Sequence, residues 1–247
     1  MFDSLIHFFF LVLYQPLFNA LVLLYDYIPG HDFGVAIIFL TLIIRIILYP
    51  ISLVAVKSQR GLQKLQPKIQ EIQKKHKNDR EKQAKETLEL YKTEKINPFS
   101  GLLLSIIQIP ILIALYRVFW NGLNPNELGN LYSFVLNPGQ LNPFFLGLLD
   151  LSKANIMIAI LAGVTQYFQT KMLLPKISSG EKKQGKEADF SQIMQKQTTY
   201  FLPIFTVIIL LGLPSALGFY WIASAIFSII QQYFIFKKDK NTEPVRV

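Results

Sequence analysis

Apolar residues in this 247-residue chain come in long blocks rather than in short alternating runs. Four blocks stand out, at 33–56, 99–120, 155–174 and 198–236. A helix needs roughly 20 apolar residues to cross the hydrocarbon core of a bilayer, and the first three blocks each offer that length. The fourth is long enough for two helices, and Gly212 and Pro214 divide it. The pattern therefore predicts five transmembrane helices.

The N-terminal segment 5–25 is also apolar, but Gln15 and Pro16 interrupt it. No basic segment precedes it, which argues against a signal peptide. We expect a helix that lies at the outer surface of the membrane. A sixth spanning helix remains the alternative.

The charged stretch between the first two blocks has the spacing of two helices. One apolar stripe runs through Leu62, Leu65, Ile69 and Ile72, and a second through Ala84, Leu88 and Tyr91. Asn78 and Glu81 form a predicted capping box at the start of the second helix. We expect a helical hairpin outside the bilayer.

These patterns predict an all-α integral membrane protein of five transmembrane helices, a cytoplasmic helical hairpin and an N-terminal interfacial helix. The expected segments are the interfacial helix at 1–31, spans at 32–56, 97–121, 154–174, 198–213 and 214–236, the hairpin at 57–96, an external loop at 122–153, a cytoplasmic loop at 175–197 and a short basic cytoplasmic tail at 237–247.

The net charge of +9 reflects topology. Of the 25 Lys and Arg residues, 22 lie in 57–95, 171–197 and 237–247, and each of these segments adjoins an apolar block. Cytoplasmic segments of membrane proteins carry such an excess of basic residues. The distribution places the N-terminus outside and the C-terminus in the cytoplasm, and it does not call for sequence-specific nucleic-acid binding.

Little in the chain favours covalent or metal chemistry. There is no cysteine, and the three histidines share no ligand spacing. The predicted spans contain serine but no histidine or acid that could activate it as a nucleophile. We expect no metal, no cofactor and no enzymatic activity.

Arg45 is the unusual residue. It lies about 12 residues into its span, or roughly 18 Å from the outer end, which is near the bilayer midplane. None of the four apolar blocks that contain the five spans has an Asp or Glu, so the chain offers no counter-ion there. Arg45 must face a water-filled cavity or an acidic group of another molecule. Arg117 lies one turn from the outer end of its span, where its side chain can reach the surface, and we assign it no function.

Other polar residues in the spans recur at helical spacing. They are Thr41, Tyr49 and Ser52 with Arg45 on the first span, Ser105 and Gln108 on the second, Gln166, Gln169 and Thr170 on the third, Thr198, Thr199 and Thr206 on the fourth, and Trp221, Ser224, Ser228 and Gln231 on the fifth. One such stripe usually makes hydrogen bonds between helices. Five stripes displaced toward the same side favour a hydrophilic groove that opens to the cytoplasm.

The chain also carries a set of ordered motifs over residues 14–236. They are Gln15-Pro16-Leu17-Phe18, Arg45 followed by Tyr49-Pro50, Leu65-Gln66-Pro67-Lys68-Ile69-Gln70, Leu90-Tyr91-Lys92 before Asn97-Pro98, Gln108-Ile109-Pro110-Ile111, and Tyr220-Trp221 before Ile230-Gln231-Gln232. With these motifs the chain resembles the YidC/Oxa/Alb membrane-protein insertases, and most of all the bacterial YidC branch in a short form without the large external domain.

The resemblance implies a fold of five transmembrane helices with a cytoplasmic hairpin after the first, and an interfacial N-terminal helix. It places Arg45 in the groove, implies that Thr41, Gln166 and Trp221 also line it, and puts Tyr220 and Trp221 near the substrate path. Gln108 and Ser224, from the polar stripes, complete the expected substrate groove. The tail is short, so the ribosome tethering attributed to long basic tails is not expected to be strong.

The expected function is insertion and folding of integral membrane proteins in the cell membrane, with Arg45 attracting acidic segments of the substrate. Nascent membrane proteins and the lipid bilayer are the expected partners, with the Sec translocon, the signal recognition particle machinery and the ribosome as candidates. The alternative is a transporter for a small anion bound by Arg45. Against it, the sequence has no inverted repeat and no paired broken helices.

Overall fold

The computed structural model describes residues 2–77, 79–173 and 197–242. Most of this part of the chain is helical, and the expected all-α integral membrane fold is confirmed. The predicted loop at 175–197 lies outside the described residues except for Gln197, and so do Asn78 and the end of the tail.

Nine α-helices form the described part of the chain. They are α1 (Phe2–Phe9), α2 (Gln15–Tyr27), α3 (Phe33–Ile47), α4 (Tyr49–Lys75), α5 (Arg80–Thr93), α6 (Ser100–Asn121), α7 (Ile156–Leu173), α8 (Leu202–Leu210) and α9 (Ser215–Thr242). Two π-helical turns, Phe10–Tyr14 and Gln197–Phe201, lead into α2 and α8, and Pro125–Asn130 is a 3₁₀-helix. Two short antiparallel strands, β1 (Phe144–Phe145) and β2 (Leu149–Asp150), lie in the segment between α6 and α7.

The first apolar block is two helices, which differs from the single helix expected over 32–56. The axes of α3 and α4 differ by 69°, and the break falls at Leu48. Pro50 explains the position of the break, because a proline has no N–H to donate to the carbonyl four residues earlier and its ring crowds that carbonyl. The bend separates Thr41 and Arg45 on α3 from Ser52 on α4, so these residues do not share one straight helical face.

Helix α9 is the centre of the bundle. It packs against α7, α3 and α6, while α8 covers α7, and α2 packs on α3 and α6. The core includes Phe33, Ile37 and Leu40 of α3, which recur at helical spacing and are fully or almost fully buried. We call the side of the bundle with residues 122–153 the loop end, and the side with α5 the hairpin end.

The loop end is ordered by hydrogen bonds to the helices. Ser215 and Ala216, the first residues of α9, donate their N–H groups to the carbonyls of Lys153 and Leu151 at 2.9 and 3.0 Å. These bonds satisfy donors that the first turn of a helix leaves free. On α2, Asn19 donates to the carbonyl of Asn130 at 3.2 Å and accepts from Tyr132 N at 2.6 Å. The 122–153 segment is therefore fastened to both α2 and α9.

The hairpin end consists of the second half of α4 and α5. Asp79, rather than the expected Asn78, accepts a hydrogen bond from Lys82 N at the start of α5. Glu86 of α5 accepts from Lys75 at 3.1 Å and lies 2.8 Å from His76 Nε2. Hydrogen bonds from Lys75 and His76 hold the pKa of Glu86 below its ordinary value. The arms are thus joined mainly by exposed polar contacts, which contribute little to stability individually.

Among the described residues, two helical stretches are long and apolar enough to cross a membrane, Ile6–Tyr27 and Ser215–Lys237, and the bent pair of α3 and α4 offers a third. Two shorter apolar stretches are Ile106–Asn121 and Thr199–Leu210. The N-terminal helix continues through Gln15 and Pro16, which do not interrupt it as expected. Its length allows it to span, so its interfacial placement and the count of five spans stay predictions. Helix α9 continues to Thr242, six residues beyond the end expected for the last span.

Helix α7 makes two close contacts through glycine. A methyl group at Gly218 of α9 would lie 2.5 Å from Ile158 Cγ2, and one at Gly163 would collide with Val207 and lie 3.1 Å from the carbonyl oxygen of Pro203 on α8. Small residues allow helix backbones to approach closely in membranes. Glycine is therefore required at both positions by the packing of α7.

We predict that Gly163→Ala lowers the free energy of unfolding by about 1–3 kcal/mol, since overpacking forces neighbours to shift. Gly101→Ala is the matched control, because Gly101 is also helical and a methyl group there meets nothing within 4 Å. The control should be neutral or slightly stabilising. Thermal unfolding of both variants in detergent provides the measurement, and equal melting temperatures would contradict the prediction.

Candidate functional site

Arg45 lies in the last turn of α3. Its side chain is half-buried, and its Nε atom is buried without a hydrogen-bond partner. Within the described ranges no Asp or Glu side chain forms an ion pair with it. The guanidinium carries five N–H donors and is always charged, so it presents unused donors to whatever enters its surroundings.

Tyr220 of α9 and Gln108 of α6 are next to each other. Gln108 Nε2 donates a hydrogen bond to the hydroxyl of Tyr220, which is 3% exposed. Tyr220 also lies near Arg45, since α9 packs against α3. The structure thus brings together three of the predicted site residues from three different helices, α3, α6 and α9.

Ser224 and Gln166 extend this polar region along α9 and α7. Ser224 lies one turn after Tyr220 on α9, and its hydroxyl is buried without a partner. Gln166 is half-buried, and its Oε1 atom is also buried without a partner. Ile158 and Gly218 are in contact, and α7 and α9 both begin at the loop end. Gln166 and Ser224 therefore lie at similar depths, roughly 12 and 9 Å below that contact.

The remaining two predicted residues are placed differently. Thr41 is 1% exposed, and its hydroxyl donates to the carbonyl of Ile37 at 2.7 Å, as threonines within helices often do. Trp221 is half-buried and packs against the edge of the apolar core. Neither makes a hydrogen bond to Arg45, Gln108 or Gln166 within the described ranges.

Two further polar residues of α9 were not predicted as site residues. Gln231 donates to Ser52 Oγ of α4 at 2.8 Å, in a pair that is buried from both sides. Gln232 is 1% exposed, and its Oε1 atom has no partner. The sequence shows two consecutive amide side chains inside an apolar helix. It does not show that Gln231 pairs with Ser52, which is 179 residues away.

The hairpin end of this region is fastened by Arg60 of α4. Its guanidinium lies 4.8 Å from the ring centroid of Phe236 on α9 and donates to Gln63 Oε1 at 2.7 Å. Gln63 in turn donates to the carbonyl of Leu173 at the end of α7. Helix α4 therefore holds the ends of α7 and α9.

Several buried polar atoms of the described helices thus lack a protein partner. A buried polar group without a hydrogen bond costs about 1–3 kcal/mol, so such groups in native proteins usually meet water or a ligand. The atoms Arg45 Nε, Gln166 Oε1, Ser224 Oγ and Gln232 Oε1 share this property. We call the five residues Arg45, Gln108, Gln166, Tyr220 and Ser224, which the sequence predicts to line one hydrophilic groove, the groove. Its chemistry suits water and charged or polar segments of another chain.

Comparison with known proteins gives one consistent family. The family model described as 60Kd inner membrane protein matches residues 23–242. Similar proteins, each named membrane protein insertase YidC, include one from Geobacter metallireducens (34% identical, 95% of this chain and 38% of the relative), one from Syntrophus aciditrophicus (37% identical, 91% and 36%) and one from Fusobacterium nucleatum (33% identical, 84% and 87%). The chain thus spans little more than a third of the length of the first two relatives and most of the third.

The unpaired polar atoms predict that the groove contains water. The chain has no cysteine, so a single introduced thiol can report on this. A thiol must ionise to react with a maleimide, and ionisation requires water. We expect a thiol in Gln166→Cys to react at least about tenfold faster with a water-soluble maleimide than a thiol in Phe168→Cys.

Phe168 is the matched control for this experiment. It lies two residues further along α7 and its side chain is 54% exposed on the apolar surface of the bundle. Both variants would be labelled in proteoliposomes. Equal labelling rates, or faster labelling at position 168, would show that the groove is dry.

Proposed function

Because the chain belongs to the 60Kd inner membrane protein family, we propose that it is an insertase that places other proteins in the cell membrane and helps them fold. The three relatives reported above are named for this activity. In this proposal the groove receives the polar part of a substrate while the substrate's apolar helix passes into lipid.

The observation that carries the proposal is the state of Arg45. It is a half-buried cation in a predicted span, its Nε atom has no partner, and none of the four apolar blocks supplies an acid. A structural arginine in a membrane bundle would be paired with a carboxylate or with backbone carbonyls. An unpaired one is available to an acidic segment of an incoming chain.

The energetics favour such a role. A charge at the bilayer centre costs about 2.5–3.5 kcal/mol on insertion scales, and partial solvation in the groove offsets part of that cost. A charge-assisted hydrogen bond from Arg45 to a substrate carboxylate adds roughly 1.5–3 kcal/mol. The membrane potential then draws an acidic segment outward by about 2.3 kcal/mol per charge per 100 mV. These effects are of similar size, so each assists crossing without trapping the substrate.

The orientation follows from the basic segments. With 57–95, 171–197 and 237–247 in the cytoplasm, the hairpin end is cytoplasmic and the loop end is external. The groove residues then open toward the side on which new chains are made. The Ser52–Gln231 pair and the contacts of Arg60 would lie nearest the entrance.

The proposed partners follow from this orientation. Nascent membrane proteins are the substrates, and lipid surrounds the apolar faces. The hairpin, whose α5 has no buried residue, offers a charged cytoplasmic surface for the ribosome, the signal recognition particle machinery or the Sec translocon. Insertion in this scheme breaks no covalent bond and uses no cofactor, because the groove acts only through solvation and charge.

We expect Arg45→Ala to slow insertion of a single-span substrate with an acidic external segment by roughly tenfold or more, which corresponds to the loss of one charge-assisted hydrogen bond. Arg45→Lys should retain much of the rate, because the charge remains although the planar fork of donors is lost. The measurement is protease protection of the substrate after reconstitution of the purified protein in liposomes.

Two controls accompany this experiment. Arg117→Ala also removes an arginine from a membrane helix but lies outside the groove, and it should insert the acidic substrate at the unchanged rate. A substrate with a neutral external segment should respond little to Arg45→Ala. If Arg45→Ala inserts the acidic substrate as fast as the unmodified protein does, the electrostatic role is wrong. Transport of small anions by the purified protein would instead favour a transporter.

A further inference from the structure

A cavity lies between the N-terminal helix and α6, and none of the five groove residues lines it. Its volume is about 510 Å³. Its lining consists of six apolar residues and one cation, namely Ile6, Phe8, Phe9, Leu13, Pro110, Ile113 and Arg117. Nothing in the proposed insertion mechanism uses it.

Arg117 is held at one end of this cavity with its charge available. Its guanidinium carbon lies 5.5 Å from the ring centroid of Phe9, a distance at which a cation and an aromatic face attract each other. Its side chain is exposed, and within the described ranges it forms no ion pair. Glu127, which accepts hydrogen bonds from Tyr14 at 2.7 Å and from Asn130 at 2.9 Å, is not among the ion-pair partners of Arg117 in the described ranges.

The cavity could accommodate an amphiphile, because it has a cation at one place and an apolar lining elsewhere. Arg117 lies near the loop end of α6, and Pro110 is seven residues back toward the middle of the helix, or about 10 Å away. The apolar lining extends from the cation in that direction. Phe8 and Ile113 at its mouth are 63% and 47% exposed, so the cavity opens on the apolar outer surface of the bundle. An occupant would place an anion at the loop end and a hydrocarbon chain alongside α6.

The size of the cavity suits one lipid chain. A cavity of 510 Å³ lies within the ordinary range of small-molecule sites, about 300–1,000 Å³. Arginine also binds phosphate with two parallel hydrogen bonds.

We propose that this cavity is a binding site for one anionic phospholipid, with its phosphate on Arg117 and one acyl chain along Ile113 and Pro110. The lipid would fill the space between the N-terminal helix and α6 and fasten the two together. Its occupancy is independent of whether Arg45 guides substrates.

Native mass spectrometry of the purified full chain in detergent tests this site. Equal amounts of phosphatidylglycerol and phosphatidylcholine with identical acyl chains would be added. We expect phosphatidylglycerol to be retained about tenfold more than phosphatidylcholine, whose choline ammonium offsets the charge of its phosphate, and we expect Arg117→Gln to abolish that preference. Ile113→Trp, which fills the cavity but keeps the cation, should lower retention of phosphatidylglycerol as well.

Arg80→Gln is the matched control, because it removes the same charge from an exposed position at the start of α5. It should leave the preference unchanged. A tenfold preference that persists in Arg117→Gln or in Ile113→Trp would overturn the proposal. So would a photo-reactive side chain at position 113 that reacts with an inserting substrate and not with lipid. The readout is lipid retention, so a failure of the insertase proposal would leave this result intact.

Discussion

The site depends on one constraint, which is the positive charge of Arg45. The apolar blocks at 33–56, 99–120, 155–174 and 198–236 contain no acid that could neutralise Arg45, and the cost of leaving it in hydrocarbon is several kcal/mol. Other buried polar atoms of the bundle also lack partners. Gln166, Ser224 and Gln232 are buried with unsatisfied oxygens, and each alone would destabilise the bundle. Together with Arg45 they favour a hydrated interior, in which their individual costs fall.

Such a region is compatible with a stable fold because its helices are fastened at both ends. Helix α9 is capped at the loop end by the carbonyl of Lys153 and is held at the hairpin end through the contact of Phe236 with Arg60. Between these points its polar side chains are incompletely satisfied. Because both ends of the helices are held, the polar side chains between them stay in position for a substrate segment. This limits the reorganisation that binding would otherwise require.

The helical class and the unusual Arg45 could be predicted from the sequence, because long apolar blocks and a lone charge are local signals. The break at Leu48 could not, since the apolar pattern continues across it and only Pro50 marks it. The pairing of Gln108 with Tyr220 joins residues 112 positions apart, and periodicity carries no information about such contacts. The polar stripes therefore indicated which helices carry polar side chains, while the hydrogen-bond partner of each side chain depends on contacts between distant parts of the chain.

The two arginines of the apolar helices show why residue type alone does not assign a role. Arg117 is exposed at the rim of an apolar cavity, beside the ring of Phe9 and near the loop end. Arg45 is half-buried among polar side chains of other helices. The surroundings of Arg117 suit an anion that stays bound, because the apolar cavity can bind the hydrocarbon chain attached to it. The surroundings of Arg45 suit an anion that binds only briefly, because water competes for the same N–H donors. Arginine can therefore serve in a lipid site or at a transient docking point, and its surroundings decide which.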